Sequence, residues 1–148
     1  MKYSVILPTY CECENLPLMI SMLNDSFTGQ NLDYEVVIVE DNSPDGTLAV
    51  AEELQKLYGS RHVVIHSRPG KMGLGSAYID GLELCTGDFV FLMDADMSHH
   101  PRDIPKFISK QKEGDYDVVT GTRYAQGGGI AGWDLKRILT SRGANFIA

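Results

Sequence analysis

Long apolar runs are missing from this sequence of 148 residues, and none approaches the roughly 18–20 residues that a helix needs to cross a bilayer. A strand pattern follows Met1 almost at once, so no secretory signal peptide is predicted. The cysteines are three, Cys11, Cys13 and Cys85, and they include no CxxC pair. An odd number without such a pair favours free thiols over a zinc site or a disulfide framework. These absences are typical of a soluble intracellular domain.

Positive charge is also scarce, with 13 lysines and arginines against 20 acidic residues and a net charge of −7. This balance argues against a nucleic-acid-binding protein, whose surface carries a basic patch. A phosphate ligand is not excluded, because a bound divalent cation can supply positive charge locally. Hydrophobic residues make up 43% of the chain, which is enough for the core of one domain.

Strand and helix patterns alternate from the first residues onward. The predicted strands are residues 3–7, 35–39, 62–66, 89–93 and 117–120. The predicted helices are one that follows a cap at Asn15 and then 47–58, 76–84 and 101–112. Repeated units of this length predict an α/β fold, a mostly parallel Rossmann-like sheet with helices on both faces. In such sheets ligands bind at the carboxyl ends of the strands.

The segment after Thr120 breaks this alternation. A Gln-Gly-Gly-Gly loop at 126–129 precedes a helical pattern at 133–148 that has no stop signal. We therefore expect residues 1–148 to form a single domain that is incomplete and ends within a helix.

Asp94 and Asp96 give the strongest chemical signal, because they directly follow an apolar strand pattern. Side chains at positions i and i+2 of an extended segment point the same way, so both carboxylates can face one ligand. Mg²⁺ and Mn²⁺ fit such a pair, since one or two carboxylates hold them while water and phosphate oxygens complete the shell. The pattern predicts a divalent-cation site, and solvated acids at a strand end are the alternative.

Other polar residues follow the first two predicted strands. Glu40 or Asp41 could accept hydrogen bonds from a base or a ribose, and a helix cap with an Asx turn is the alternative. Tyr10 could lie against a base or simply pack within its loop. The glycine-rich segment 68–75 is neither a Walker A loop nor a full GxGxxG fingerprint. Its backbone could approach a ligand closely, and an ordinary turn into a helix is the alternative.

Two further groups invite a ligand interpretation. His99 and His100 are adjacent, but a helix beginning at Pro101 explains them better than metal ligation does. A late basic cluster could pair with phosphate or form a solvated helix face. Its members are Arg123, Lys136, Arg137 and Arg142.

Taken in order along the chain, these segments resemble the dolichol-phosphate mannose synthases, family-2 glycosyltransferases of GT-A fold. The motifs that carry the resemblance are PTYCECENLP (8–17), VEDNSPDGT (39–47), GLGSAY (73–78), MDADMSHHP (93–101), GTRY (121–124), GWDLKR (132–137) and SRGAN (141–145). The last three are more specific to this group than the first two. Cys11 and Glu40 depart from the family pattern, which usually has Asn and often Asp at these positions.

The resemblance implies transfer of mannose from GDP-mannose to dolichyl phosphate with inversion at the anomeric carbon, assisted by Mg²⁺ or Mn²⁺. It also implies work at the cytosolic face of the endoplasmic reticulum membrane, reached through partner subunits or an anchor outside this chain. The residues implied to contact guanosine are Pro8, Tyr10, Glu12, Val39 and Asp41. Those implied near the metal and the phosphates are Asp94, Ala95, Asp96, Ser98, Arg123 and Arg137. With its acceptor side incomplete, the chain is expected to bind GDP but to transfer little mannose.

Three other functions are compatible with parts of the sequence. A related glucosyltransferase would use UDP-glucose with a polyprenyl phosphate, and a non-catalytic subunit would bind the nucleotide sugar without turnover. A dinucleotide-dependent dehydrogenase is disfavoured, because no GxGxxG follows the first strand.

Overall fold

The structure is a computed structural model that describes residues 1–122, 134, 136 and 139–141. The strands among these residues are β1 (Lys2–Thr9), β2 (Asp33–Glu40), β3 (Val63–Ser67) and β4 (Phe89–Leu92). The helices are α1 (Leu16–Thr28), α2 (Thr47–Tyr58), α3 (Leu74–Leu84) and α4 (Ile104–Gly114), the last preceded by a 3-10 turn at Pro101–Asp103. Within this described part, no helix has the length and apolarity needed to cross a membrane.

All four strands join one parallel sheet in the order β3-β2-β1-β4. Because β2 lies on one side of β1 and β4 on the other, the order of the strands reverses between β1 and β4. Such a switch point is where open parallel sheets bind ligands, outside the carboxyl ends of the strands. The predicted parallel α/β fold is therefore confirmed, and its topology marks the place for a site.

Helices cover both faces of the sheet, as predicted. On one face, Val5 and its neighbours pack against α1, α2 and the first turns of α4. On the other face, Ile6 packs with Ala77 of α3. A Cβ added at Gly81 would lie 2.6 Å from Ile6 Cγ2, so α3 rests directly on the sheet there. This close contact fixes the position of α3, whose first turns reach the edge where the strands end.

The chain consists of two compact units, residues 1–108 and residues 109–148. The first contains the whole sheet. In the second, the described residues include the last turn of α4, where Lys110 pairs with Glu113 at 2.9 Å. The predicted fifth strand at 117–120 is wrong, because these residues join no sheet and Val118 is 77% exposed. Its apolar stretch is only two residues, whereas a strand usually has about five or six.

Asn15 occupies the N-cap position of α1, as predicted, but its side chain makes no cap hydrogen bond. Its backbone is already helical, and its side chain donates to Glu12 Oε2 at 2.7 Å instead of capping α1. The carbonyl of Glu12 accepts the N–H groups of Asn15 and Leu16, so a turn before α1 replaces the side-chain cap.

The remaining predicted boundaries differ from the structure by small amounts. The helix at 47–58 is confirmed, α3 begins two residues earlier than predicted, and the helix expected at 101–112 is divided into the 3-10 turn and α4. Residues 136 and 139–141 are helical, and the rest of the helix predicted at 133–148 lies outside the described residues. All three cysteines are free, as predicted.

A buried polar cluster holds together the amino-terminal edge of the sheet. The Glu35 carboxylate accepts hydrogen bonds from Ser4 Oγ at 2.6 Å, Lys2 Nζ at 2.6 Å, and the N–H and hydroxyl of Thr86 at 2.6 and 2.9 Å. Burial disfavours the ionised form, but these hydrogen bonds outweigh that effect and lower the pKa of Glu35 to about 2. The cluster joins β1 and β2 to the turn before β4.

This cluster predicts a specific loss of stability in acid. Because the folded-state pKa of Glu35 lies below its ordinary value of 4.5, its contribution is complete above about pH 4.5 and disappears as the pH falls towards 2. The shift corresponds to about 3 kcal/mol. Urea unfolding at about pH 6 and about pH 3 should therefore show a smaller acid-induced loss in Glu35→Gln than in the wild type. The control Glu53→Gln, in an exposed pair with Lys56, should behave like the wild type. Equal losses in all three proteins would contradict this assignment.

Candidate functional site

A cleft of about 220 Å³ opens at the carboxyl ends of the strands, at the switch point between β1 and β4. All of its described lining residues belong to the unit of residues 1–108. Its lining residues are Pro8, Thr9, Tyr10, Glu12, Asp41, Lys71, Gly73, Leu74, Ala77, Asp94, Ala95 and Asp96. The cleft is smaller than the roughly 300–1,000 Å³ of typical small-molecule sites, so a nucleotide sugar would extend beyond it.

Seven of the predicted site residues line this cleft, two described ones do not, and two lie outside the described residues. Val39 is fully buried within β2. Ser98 is exposed, and its N–H donates to Asp96 Oδ1 at 2.9 Å. Arg123 and Arg137 lie outside the described residues.

The loop after β1 is fastened to the loop after β2. Three consecutive N–H groups, those of residues 11–13, donate to Ser43 Oγ, Thr47 Oγ1 and Asp45 Oδ2 at 3.0, 2.9 and 3.2 Å. The Thr47 hydroxyl and N–H also donate to Asp45, at 2.6 and 3.1 Å, and they hold the pKa of that carboxyl well below its usual range. The polar residues of the 39–47 motif therefore position the loop that carries Tyr10.

Cys11 occupies a backbone conformation that suits the asparagine which the resemblance leads us to expect at this position. Its φ of 61° is left-handed, which costs a residue other than glycine about 1–2 kcal/mol, whereas asparagine tolerates it better. Cys11→Asn should raise the free energy of unfolding by about 0.5–1 kcal/mol in urea titrations. Cys13→Asn, in the same loop but without a left-handed backbone, should give no gain. Equal changes at both positions would show that backbone strain is not the cause.

Glu40 organises the turn after β2. It is fully buried, and its carboxylate accepts the N–H groups of Asn42 and Ser43 at 3.0 and 2.7 Å. The turn is therefore capped by Glu40 and not by the side chain of Asp41, Asn42 or Ser43. Asp41 lines the cleft instead.

Arg68 fixes the orientation of Asp41. Its guanidinium side chain is 1% exposed, and Nε donates to Asp41 Oδ1 at 2.6 Å. Nη1 donates to Asp80 Oδ2 at 3.1 Å and to Ser76 Oγ at 2.8 Å. These bonds, first of all the one to Asp41, raise the pKa of Arg68. Arg68 was not among the predicted site residues, although a basic side chain directly after the third strand was a usable signal.

Lys71 and Tyr10 form the part of the cleft that can meet a flat ring or an anion. Lys71 Nζ lies 4.3 Å from the centre of the Tyr10 ring, a cation–π contact, and Tyr10 is 41% exposed. Lys71 is the one cation among the described lining residues, which otherwise include four acids. Among the described lining residues, Lys71 is therefore the side chain that could pair directly with an anionic ligand.

Asp94 and Asp96 lie just beyond β4, and both line the cleft, so the predicted pair faces one space. The hydroxyl and N–H of Ser98 hydrogen-bond to Asp96 and hold its pKa below the usual range, so this carboxylate is ionised at neutral pH. Asp94 accepts a hydrogen bond from Tyr78 Oη at 3.3 Å. Burial and the nearby Asp94 raise the pKa of Tyr78 to about 12, so its hydroxyl stays protonated.

The chemistry of this pair suits a cation that keeps part of its hydration shell. Within the described part of the chain, no three His, Cys, Asp or Glu residues come together as metal ligands. A structural zinc ion would need four protein ligands, more than these described residues bring together. Mg²⁺ and Mn²⁺ fit better, because one or two carboxylates and the oxygens of water and phosphate satisfy them.

The two histidines after the acidic pair have local roles. His100 Nδ1 accepts the Arg102 N–H at 3.2 Å and caps the 3-10 turn that begins at Pro101. His99 Nδ1 accepts the Asp94 N–H at 3.0 Å. The preference for a helix start over histidine ligation is thus supported by these contacts.

Comparison with known proteins places the chain in a family. The sequence model of glycosyl transferase family 2 matches residues 4–147. The chain belongs to glycosyl transferase family 2. The resemblance predicted from the motifs is therefore confirmed at the level of the family.

Two curated members of the family match nearly the whole chain. A dolichol-phosphate mannosyltransferase of Pyrococcus furiosus is 43% identical over 147 residues, which are 99% of this chain and 40% of the relative. A polyprenol monophosphomannose synthase of Mycolicibacterium smegmatis is 38% identical over 144 residues, which are 95% of this chain and 52% of the relative. The chain thus spans about half, or less, of the length of these relatives.

Solved structures of glycosyltransferases share the fold. The mannosyltransferase PcManGT of Pyrobaculum calidifontis, in complex with GDP-Man and Mn²⁺, has a TM-score of 0.59 at 24% identity and covers 68% of this chain and 29% of its own. S. aureus TarS, in complex with UDP-GlcNAc, has a TM-score of 0.59 at 24% identity. The match covers 85% of this chain and 39% of the TarS chain. These likenesses confirm the predicted fold and carry no substrate assignment.

Proposed function

We propose that this chain forms the donor-nucleotide site of an enzyme that transfers mannose from GDP-mannose to dolichyl phosphate or a related polyprenyl phosphate. The observation that carries the proposal is the cleft itself, where Asp94 and Asp96 face the same space as Tyr10 and Asp41. One cleft therefore combines groups suited to a diphosphate with groups suited to a nucleoside. Both relatives quoted above are named for transfer of mannose to lipid phosphates, which supports the choice of sugar and acceptor.

The nucleoside end is built around Tyr10 and Asp41. The exposed ring of Tyr10 offers a stacking face, and Asp41 offers a carboxylate to base N–H groups or ribose hydroxyls. Arg68 holds Asp41 in one orientation through the 2.6 Å bond, so this acceptor is preorganised before the nucleotide arrives. Pro8 and Glu12 complete this end of the cleft.

The diphosphate end is built around Asp94 and Asp96. A Mg²⁺ or Mn²⁺ ion bound there would supply positive charge where the leaving diphosphate develops negative charge. Lys71 can leave the ring of Tyr10 and meet a phosphate oxygen directly. Arg123 and Arg137 are proposed as further phosphate contacts on the donor or the acceptor.

The acceptor needs little activation by the protein. The second pKa of a phosphate monoester is about 6, so its oxygen is already largely ionised at neutral pH. It can attack the anomeric carbon from the side opposite the diphosphate, which inverts the configuration, without a general base. We place this reaction at the cytosolic face of the endoplasmic reticulum membrane, with contact to the membrane made by partner subunits or by segments outside this chain.

The choice of base is open to a direct test. GDP at about 100 times its Kd should add about 2.7 kcal/mol to the stability of the fold and raise the Tm by roughly 5–10 °C. UDP at the same concentration should raise it less, because the mannose donor carries guanine. The measurement is a thermal unfolding series with GDP, UDP and ADP in the presence of Mn²⁺. A larger shift with UDP would favour the glucosyltransferase alternative, and no shift with any nucleotide would contradict the proposed site.

A further inference from the structure

Asp94 is held by two elements that are separate in the chain. From α3, the Tyr78 hydroxyl donates to Asp94 Oδ1 at 3.3 Å. The next residue back, Ala77, lines the cleft, so this helix reaches the site directly. Its position is rigid, because α3 lies against the sheet at Gly81, where no Cβ can be accommodated.

From the loop after β4, His99 holds the backbone of the same residue. His99 Nδ1 accepts the Asp94 N–H at 3.0 Å, which places the ring proton on Nε2. Nε2 lies 3.8 Å from Asp94 Oδ2, so the ring contacts both the backbone and the carboxylate of Asp94. Tyr78 therefore contacts one oxygen of the Asp94 carboxylate, and His99 contacts the other.

Asp96 has no comparable support from a distant element among the described residues. Its hydrogen-bond partner is Ser98, two residues away, whose N–H donates to Oδ1 at 2.9 Å, and His99 adds an electrostatic interaction only. The residue between them, Met97, has a left-handed backbone with φ of 65°, so this turn is local and strained. The two acids of the pair are thus supported unequally.

We propose that Tyr78 and His99 are positioning residues that hold the Asp94 carboxylate in the orientation needed to bind a divalent cation. This inference rests on the proposed function, because it assumes that Asp94 and Asp96 hold the cation of a nucleotide diphosphate. Residues that orient metal ligands typically change metal affinity by about 10–100-fold when they are replaced. Tyr78 and His99 would then determine how tightly the cation binds without touching it.

The test uses Tyr78→Phe, which removes one hydroxyl, and His99→Gln, at a side chain that is 46% exposed. The matched control is Tyr34→Phe. It also removes one hydroxyl, which donates to Asn24 Oδ1 at 2.9 Å, and neither residue lines the cleft. Mn²⁺ affinity is measured by electron paramagnetic resonance in the presence of GDP. GDP affinity is measured by calorimetry in EDTA and in Mn²⁺.

Each positioning variant should lower Mn²⁺ affinity by about tenfold or more and leave GDP affinity in EDTA unchanged. Tyr34→Phe should lower stability and leave Mn²⁺ affinity unchanged. In an Asp94→Asn background, Tyr78→Phe and His99→Gln should have no further effect on Mn²⁺, since they act through that carboxylate. This pattern would not arise from a general loss of structure.

Two results would overturn the inference. If both variants kept the Mn²⁺ affinity of the wild type, the positioning role would be refuted while the proposed nucleotide site stood. If the wild type itself gained no GDP affinity from Mn²⁺, the metal site and this inference would fail together. Should Tyr78→Phe not fold, His99→Gln decides the question by the same measurements.

Discussion

Replacing Asp96 by asparagine should abolish the strengthening of GDP binding by Mn²⁺. The substitution keeps the shape of the side chain but removes the charge of a carboxylate that faces the cleft and is ionised at neutral pH. Because replacing a residue that only orients a ligand costs about 10–100-fold in metal affinity, loss of a ligand itself should cost about 100-fold or more. The measurement is isothermal titration calorimetry of GDP binding in Mn²⁺ and in EDTA. For the variant, the GDP Kd should be the same in both conditions.

A matched substitution at the other end of the same strand separates this effect from a general change of charge. Asp88 lies just before β4 and accepts the Lys2 N–H at 2.8 Å, far from the cleft along the strand. Asp88→Asn should leave the Mn²⁺ effect intact. If the Asp96 variant kept the full Mn²⁺ effect, or Asp88→Asn lost it, this acidic pair could not be the cation site.

Replacing Arg68 by methionine should lower the free energy of unfolding by about 3–5 kcal/mol, the usual cost of breaking a buried ion pair from one side. Methionine fills a similar volume but leaves Asp41, which is 8% exposed, without its 2.6 Å partner. Asp80 loses its hydrogen bond as well. Urea unfolding measures the loss, and GDP binding to the folded fraction should weaken because Asp41 is no longer held in place.

An exposed arginine pair provides the control for this prediction. Arg61 donates to both carboxylate oxygens of Asp33 at 3.1 Å, but its side chain is 72% exposed. Surface pairs of this kind contribute about 0–1 kcal/mol, so Arg61→Met should cost far less than Arg68→Met. Comparable losses in the two variants would show that the buried cluster around Arg68 does not stabilise the fold as proposed.

The parts of the fold that could be predicted from the sequence are those dictated by local pattern. β2 reads as a continuous apolar run because it is buried on both faces, and α2 has clear helical spacing. The pattern 117–120 failed because two valines cannot establish a strand without a neighbouring strand to pair with. Asn15 stands at the predicted N-cap but does not cap with its side chain, because that side chain donates to Glu12 and Pro17 offers no N–H.

The site could be predicted where chemistry is local and could not where it depends on distant pairing. Asp94 and Asp96 are two residues apart, so their spacing alone placed them together. Arg68 and Asp41 are 27 residues apart, and only the parallel pairing of β2 with β3 brings them into contact. The roles of Glu40 and Asp41 also depend on the folded structure. Glu40 is buried below the turn and accepts backbone N–H groups, while Asp41 lines the cleft.

One cleft is proposed to hold both ends of a guanosine diphosphate sugar, and a crystal structure with GDP-mannose and Mn²⁺ would show whether it does. We expect Mn²⁺ bound to Asp94 and Asp96 together with diphosphate oxygens, and the guanine beside Tyr10 within hydrogen-bonding distance of Asp41. A nucleotide bound outside this cleft, or one whose diphosphate lies away from Asp94 and Asp96, would contradict it.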